Sequence, residues 1–85
     1  MAYTILLNKK IKKVIGNIEK KEKDRVELRM RMLSKNPISE GSKKIKDKYR
    51  DLFRVRVGDF RILYSIDHDS KEILIAKIDK GSGTH

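Results

Sequence analysis

The chain has no cysteine, no tryptophan, one proline and two histidines in its 85 residues. Without cysteine there is no disulfide framework, no thiolate zinc site and no thiol nucleophile. His68 and His85 are too few for a His-rich metal site, so no metal and no other cofactor is expected. Long apolar runs are missing as well. The longest near the N-terminus is Ile5-Leu6-Leu7, far short of the roughly 20 apolar residues that a membrane-spanning helix needs. Nothing in the sequence has the pattern of a secretory signal. No membrane partner is expected, and the cytoplasm is the expected location. Three Tyr and two Phe are a poor supply for stacking on nucleic-acid bases.

Acidic residues are also scarce. Twelve Asp and Glu stand against 22 Lys and Arg, a net charge of +10. Such a chain repels itself and attracts polyanions or acidic proteins. Residues 1–51 carry 16 basic side chains against 7 acidic ones, and residues 52–85 carry 6 against 5. The excess thus lies in the N-terminal part, where a solvated helix face and a contact surface are both open readings. Lys9, Lys10, Lys12, Lys13, Lys43, Lys44 and Lys46 are the candidate RNA contacts. The length fits one domain over residues 1–85 with a thin core, burying roughly 60–65% of the unfolded chain's surface.

Apolar residues that are present fall into two periods. Ala2 to Leu7 reads as a short strand. Asn8 is placed to cap a helix whose Ile11, Val14, Ile15 and Ile18 follow the i, i+3, i+4, i+7 spacing. The charged stretch Lys20-Lys21-Glu22-Lys23 reads as a tight connection, after which Asp24 caps a second helix with Val26, Met30 and Leu33 inward. Asn36-Pro37 stops that helix. Residues 37–48, with Pro37, Ser39, Gly41 and Ser42, read as a loop.

From Leu52 the period changes to two. Phe53, Val55 and Val57 alternate with Arg54 and Arg56, and after Gly58-Asp59 the alternation resumes through Phe60, Ile62 and Tyr64. A two-residue turn with Gly first suits a type II′ hairpin. Ile73 to Ile78 makes a third strand, and residues 80–85 read as a flexible tail. The expected class is α+β in the order β-α-α-β-β-β, an antiparallel C-terminal meander packed on an αα-hairpin.

The hairpin fixes its own register. Val57 meets Phe60, Arg56 meets Arg61, Val55 meets Ile62 and Arg54 meets Leu63. Arg54, Arg56 and Arg61 therefore share the face opposite the core. Like charges directly opposite across strands are destabilising, at roughly 0.2–1 kcal/mol per pair. Stability alone would not select Arg56 against Arg61. An oxyanion between the guanidiniums explains the arrangement, because Arg matches phosphate geometry by forked hydrogen bonding. The competing reading is a solvated face neutralised by Asp59, Asp67 or Glu72. Such a face stabilises negative charge but moves protons poorly, since the guanidinium pKa exceeds about 12. His85 has the intrinsic pKa of a general acid or base, though a terminal His is also an ordinary solvent-exposed residue. His68 lies in a turn, and Tyr64 falls on the core face.

The run from Leu52 to Tyr64, with Arg54, Arg56, Gly58-Asp59 and Arg61 in it, resembles the signature of the RelE/ParE toxin superfamily. It looks most like the archaeal RelE branch. The opening Ala2-Tyr3-Thr4 and the basic helical pair agree, so the resemblance covers nearly the whole chain. It implies a small microbial-RNase-like (RelE) fold and a type II toxin, a ribosome-dependent endoribonuclease that cleaves mRNA in the A site. In that family the positions matching Arg54 and Arg56 hold or activate the scissile phosphate region, and the position matching Arg61 contacts the phosphate. A basic residue just past the last strand stabilises the transition state, and a C-terminal aromatic or His often assists. Here the tail reads Asp79-Lys80-Gly81-Ser82 where relatives carry Arg or His-Arg, so Lys80 is the substitute, and the chain ends on His85. That departure implies weaker catalysis. The family also implies a RelB-type antitoxin as inhibitor and the ribosome with its mRNA as target. A ParE-type toxin of DNA gyrase shares the superfamily fold and is the alternative reading. A non-toxic basic RNA-binding module is the third, and the few aromatics argue against it.

Overall fold

In the computed structural model, which describes residues 2–38, 41–46 and 51–80, β1 (Thr4–Leu6) leads into α1 (Lys9–Asn17). Asn8 caps α1 as its sequence position predicts, its side-chain carbonyl accepting from the Ile11 backbone N–H at 2.8 Å. Such a cap is worth about 1 kcal/mol. Ile11 and Ile15 are buried on one side of α1, and its lysines are exposed on the other.

The link to the second helix differs from expectation. α2 (Lys20–Lys35) begins at Lys20, and only the extended residues Ile18 and Glu19 separate it from α1. Lys and Glu are good helix formers. The stretch Lys20-Lys21-Glu22-Lys23 also sets Lys20 four residues before Asp24 and Lys23 four before Glu27, pairs that meet on one helix face. High charge is thus no helix breaker here, and Asp24 lies inside α2 rather than at its cap. Val26, Met30 and Leu33 form the buried stripe.

A second difference follows Pro37. Part of the expected loop is β2 (Lys43–Lys46), which pairs antiparallel with β3 (Asp51–Val57). Lysine is a weak strand former. At a sheet edge, however, it is a common guard against pairing with other chains, and β2 is the edge strand. β3, β4 (Phe60–Asp67) and β5 (Glu72–Lys80) form the antiparallel meander. β1 adds at the far edge, parallel to β5, so the five-stranded sheet runs β1-β5-β4-β3-β2. The fold is α+β as the sequence implied, with one more strand.

The helices cover one face of the sheet, α1 against β5 and α2 against β1 and β3. Between the layers lie Ile11, Ile15, Val26, Met30 and Leu33 from the helices and Val55, Phe60, Ile62, Tyr64, Ile73, Ile75 and Ile78 from the strands. Tyr64 is wholly buried, stacked on Phe53 with ring centroids 5.7 Å apart. Its hydroxyl donates to the Pro37 carbonyl at 2.7 Å and meets the Ser42 hydroxyl at 2.9 Å. It thereby ties the segment between α2 and β2 to the sheet. Burial raises the Tyr64 pKa above the ordinary phenol value, with the Ser42 hydrogen bond and Arg29 opposing.

Candidate functional site

The β3–β4 hairpin has the register that its turn predicts: Val57 pairs with Phe60, Arg56 with Arg61, Val55 with Ile62 and Arg54 with Leu63. Gly58 has φ +59, and no positive φ occurs at Asp59, as a type II′ turn requires. The apolar members point to the helices. Arg54, Arg56 and Arg61 share the uncovered face, Arg56 exposed and the other two half-buried.

Two rows of side chains cross this face. Lys43, Arg54, Leu63 and Lys77 are in register across β2, β3, β4 and β5. At about 4.8 Å per strand the row spans about 14 Å. Nearer the hairpin tip, Arg56, Arg61 and Asp79 form the second row. The Arg61 Nε donates to Asp79 Oδ1 at 3.3 Å, and the Lys77 Nζ lies 3.4 Å from Asp79 Oδ2. Among the described residues the counter-charge beside these arginines is therefore Asp79, not the Asp59, Asp67 or Glu72 that the sequence suggested.

Lys77 and Asp79 reach this face through an irregularity in β5. Leu63 pairs with Lys77, but Tyr64 pairs with Ile75, so Ala76 is extra. The bulge shifts the alternation by one: Ile73 and Ile75 are buried, and the next buried residue is Ile78. In a regular strand Lys77 and Asp79 would follow Ile75 into the core. Bulges that re-aim side chains are common beside functional sites. The signal was present as the spacing Ile73, Ile75, Ile78, which breaks period two.

The remaining candidates divide. Lys43 joins the arginine face. Lys44 pairs in register with Phe53, on the other side of the edge strand, and its ammonium lies 3.2 Å from Asp51. Lys46 pairs in register with Asp51. Lys9, Lys10, Lys12 and Lys13 are exposed on α1, across the sheet from the arginines. Lys80 departs from expectation: it pairs with Phe60, and its ammonium stands over that ring at 5.9 Å. Adjacent strand residues point to opposite faces, so Asp79 rather than Lys80 accompanies Arg61. His85 lies outside the described residues. His68, in the β4–β5 turn, shares a 3.0 Å hydrogen bond between its Nδ1 and the Tyr3 hydroxyl. It lies at the end of β4 away from Arg61. That end is acidic: Asp51, Asp67, Asp69 and Glu72 rim a cleft there. The Asp67 carboxylate is held below the ordinary range by hydrogen bonds from Ser70, with the Asp69 backbone N–H also donating.

On the side of β3 toward α2 lies a shallow groove lined by Leu28, Met32 and Val57 and edged by Arg25, Arg29 and Arg56. Leu28 is 54% and Met32 45% exposed, and their i, i+4 spacing puts them side by side on α2. Arg56 belongs to both the groove and the arginine face.

The face can hold oxyanions and stabilise developing negative charge. Among the described residues Asp79 is the one carboxylate in the two rows, and no histidine lies in them.

Comparison with known proteins sets the class first by fold. A chain of the archaeal RelE–RelB complex from Pyrococcus horikoshii superposes with TM-score 0.85 at 26% identity, covering 96% of this chain and 98% of that one. A chain of the RelBE2 toxin–antitoxin complex of Mycobacterium tuberculosis gives 0.79 at 22% identity, over 94% and 99%. The isolated RelE toxin of Escherichia coli gives 0.82 at 10% identity, over 99% and 89%. The fold is thus that of RelE-type toxins. At the level of sequence, a model of the ParE toxin of type II toxin–antitoxin systems, parDE, matches residues 3–84. The chain belongs to this family, and so is a type II toxin of the RelE/ParE superfamily. Comparison with curated proteins gave no match.

Proposed function

We propose that this toxin is a ribosome-dependent endoribonuclease that cleaves mRNA in the A site and stops translation in the cytoplasm. The observation that carries the reading is the clustering of Arg54, Arg56 and Arg61 on the uncovered face of the sheet, two of them directly opposite each other. In the proposed reaction the 2′-oxygen of the mRNA forms a bond to its own phosphorus as the bond to the 5′-oxygen breaks. The products are a 2′,3′-cyclic phosphate and a 5′-hydroxyl. The proton leaves the 2′-hydroxyl for solvent, and solvent returns one to the 5′-oxygen. Arg61 and Arg54 stabilise the extra charge on the phosphoryl oxygens, and Arg56 guides the neighbouring backbone. Arginines transfer protons poorly, so alignment of the 2′-hydroxyl falls to the ribosome, where fixed geometry does much of the catalytic work. Lys43 and the α1 lysines Lys9, Lys10, Lys12 and Lys13 are proposed contacts to ribosomal RNA, and His85 is a proposed supporting group, whereas Lys80, turned to the Phe60 ring, is given no part.

The reading is tested by expressing the protein from a tight promoter and mapping mRNA 5′ ends on translated and untranslated copies of one message. Cuts within codons on the translated copy alone are expected. The matching family model is that of ParE toxins, so the alternative reading, a ParE-type inhibitor of DNA gyrase, is tested beside it. Growth arrest with intact mRNA and relaxed plasmid would establish that reading instead.

The proposed inhibitor is a RelB-type antitoxin. RelE–RelB complexes are among the structural neighbours, and the α2–β3 groove combines an apolar floor with an arginine rim. An amphipathic helix with acidic flanks fits both features, and through Arg56 it would lie beside the arginine face. Leu28→Asp is expected to weaken antitoxin binding about tenfold or more, as loss of a central apolar anchor does. Calorimetric titration with the antitoxin measures it.

A further inference from the structure

The arginine face carries a carboxylate that the proposed chemistry does not use. Asp79 lies between two cations, with one oxygen on the Arg61 guanidinium at 3.3 Å and the other near the Lys77 ammonium at 3.4 Å. Its side chain is 29% exposed, those of Arg61 and Lys77 39% and 63%. A carboxylate bridging a guanidinium and an ammonium occupies the position that two oxygens of a phosphate would take. All three residues come to this place through register and the bulge at Ala76.

We propose that Arg61 and Lys77 form a clamp for one backbone phosphate of RNA, and that Asp79 is the clamp's internal counter-ion, displaced when the phosphate arrives. This rests on the RNA-directed reading above and adds Lys77 to the binding face. Half-exposed ion pairs hold weakly, so the bridge can open at small cost to a phosphodiester, whose two non-bridging oxygens share one negative charge. While closed, it spaces the two cations and offsets the repulsion between Arg56 and Arg61. It also lowers affinity for stray RNA, because the displaced carboxylate remains close to the bound phosphate and repels it. Binding then becomes strong only where many other contacts act together, as they do on a ribosome.

The test is fluorescence anisotropy of the full chain with a labelled single-stranded oligoribonucleotide, over a range of salt concentrations. Asp79→Asn keeps the side-chain shape, and unchanged circular dichroism and melting temperature verify its fold. It is expected to bind about three- to tenfold more tightly than the wild type. Asp69→Asn makes the same change in net charge in the β4–β5 turn, about 23 Å along the strand, and should gain far less. Lys77→Gln should bind more weakly, with a salt slope shallower by about 0.7, the increment for one phosphate of a single strand. Equal or weaker binding by Asp79→Asn, a gain matched by Asp69→Asn, or no effect of Lys77→Gln would each overturn the clamp. The nuclease reading fails separately, by uncut translated mRNA in cells expressing the wild type, whatever the oligonucleotide affinities are.

Discussion

Arg61→Ala is expected to lower cleavage of ribosome-bound mRNA by about 10²–10³-fold and to relieve growth arrest, with the fold intact. The magnitude is that of removing one preorganised donor from a developing oxyanion. The fold should survive because the Arg61 side chain is 39% exposed and its ion-pair partner is the partly exposed Asp79 carboxylate, an arrangement worth at most about 1 kcal/mol. Arg61→Lys retains the charge but loses the planar fork, so activity should fall between the two. Arg56 supplies the complementary case. It faces Arg61 directly, and Arg56→Ala removes that repulsion. Activity should drop while stability stays level or rises by a few tenths of a kcal/mol. Primer extension on stalled ribosomes and thermal melts of the same preparations measure both quantities. A pair of residues whose loss costs activity but not stability is the behaviour of a site maintained against folding preference. Arg61→Ala that cleaves like the wild type would remove the arginine face from the chemistry.

The features legible in the sequence are those set by short-range rules. Gly58-Asp59 fixes the hairpin, and from it the pairing of Arg56 with Arg61 follows without knowledge of the rest of the chain. Asn8 as a cap and the Ile11, Ile15 stripe are equally local. What was not legible depends on distant partners. Lys43–Lys46 has little strand propensity beyond Ile45, and becomes a strand because β3 offers an edge. Lys77 and Asp79 reach the site because β5 must accommodate one extra residue against β4. The same shift sends Lys80, the expected partner of the arginines, to the ring of Phe60. An alternation count that stops at Ile75 places these three residues on the wrong faces. Extending it to Ile78 reveals the bulge.

Tyr64 offers the largest stability effect and a means of telling unfolding from lost chemistry. Tyr64→Ala should cost about 3–5 kcal/mol, the range for removing a large buried aromatic ring, against a total of roughly 5–15 kcal/mol for a domain. Tyr64→Phe keeps the ring and its stacking on Phe53 but leaves the Pro37 carbonyl without its 2.7 Å donor. That should cost about 1–3 kcal/mol, and each kcal/mol lowers the melting temperature of a domain this size by about 4–8 °C. The pH dependence has a definite sign. Burial raises the Tyr64 pKa in the folded state, so the unfolded chain loses its proton first as pH rises past about 10. Stability present below that pH is then lost on the way up to the folded-state pKa. Tyr64→Phe should remove this alkaline component, and denaturation curves between neutral pH and strongly alkaline pH measure it. In cells Tyr64→Ala should relieve growth arrest as Arg61→Ala does, but with the protein depleted rather than present and folded. Lowering the expression temperature should restore arrest in the Tyr64 variants, because folded molecules keep the arginine face, whereas Arg61→Ala should stay harmless at every temperature.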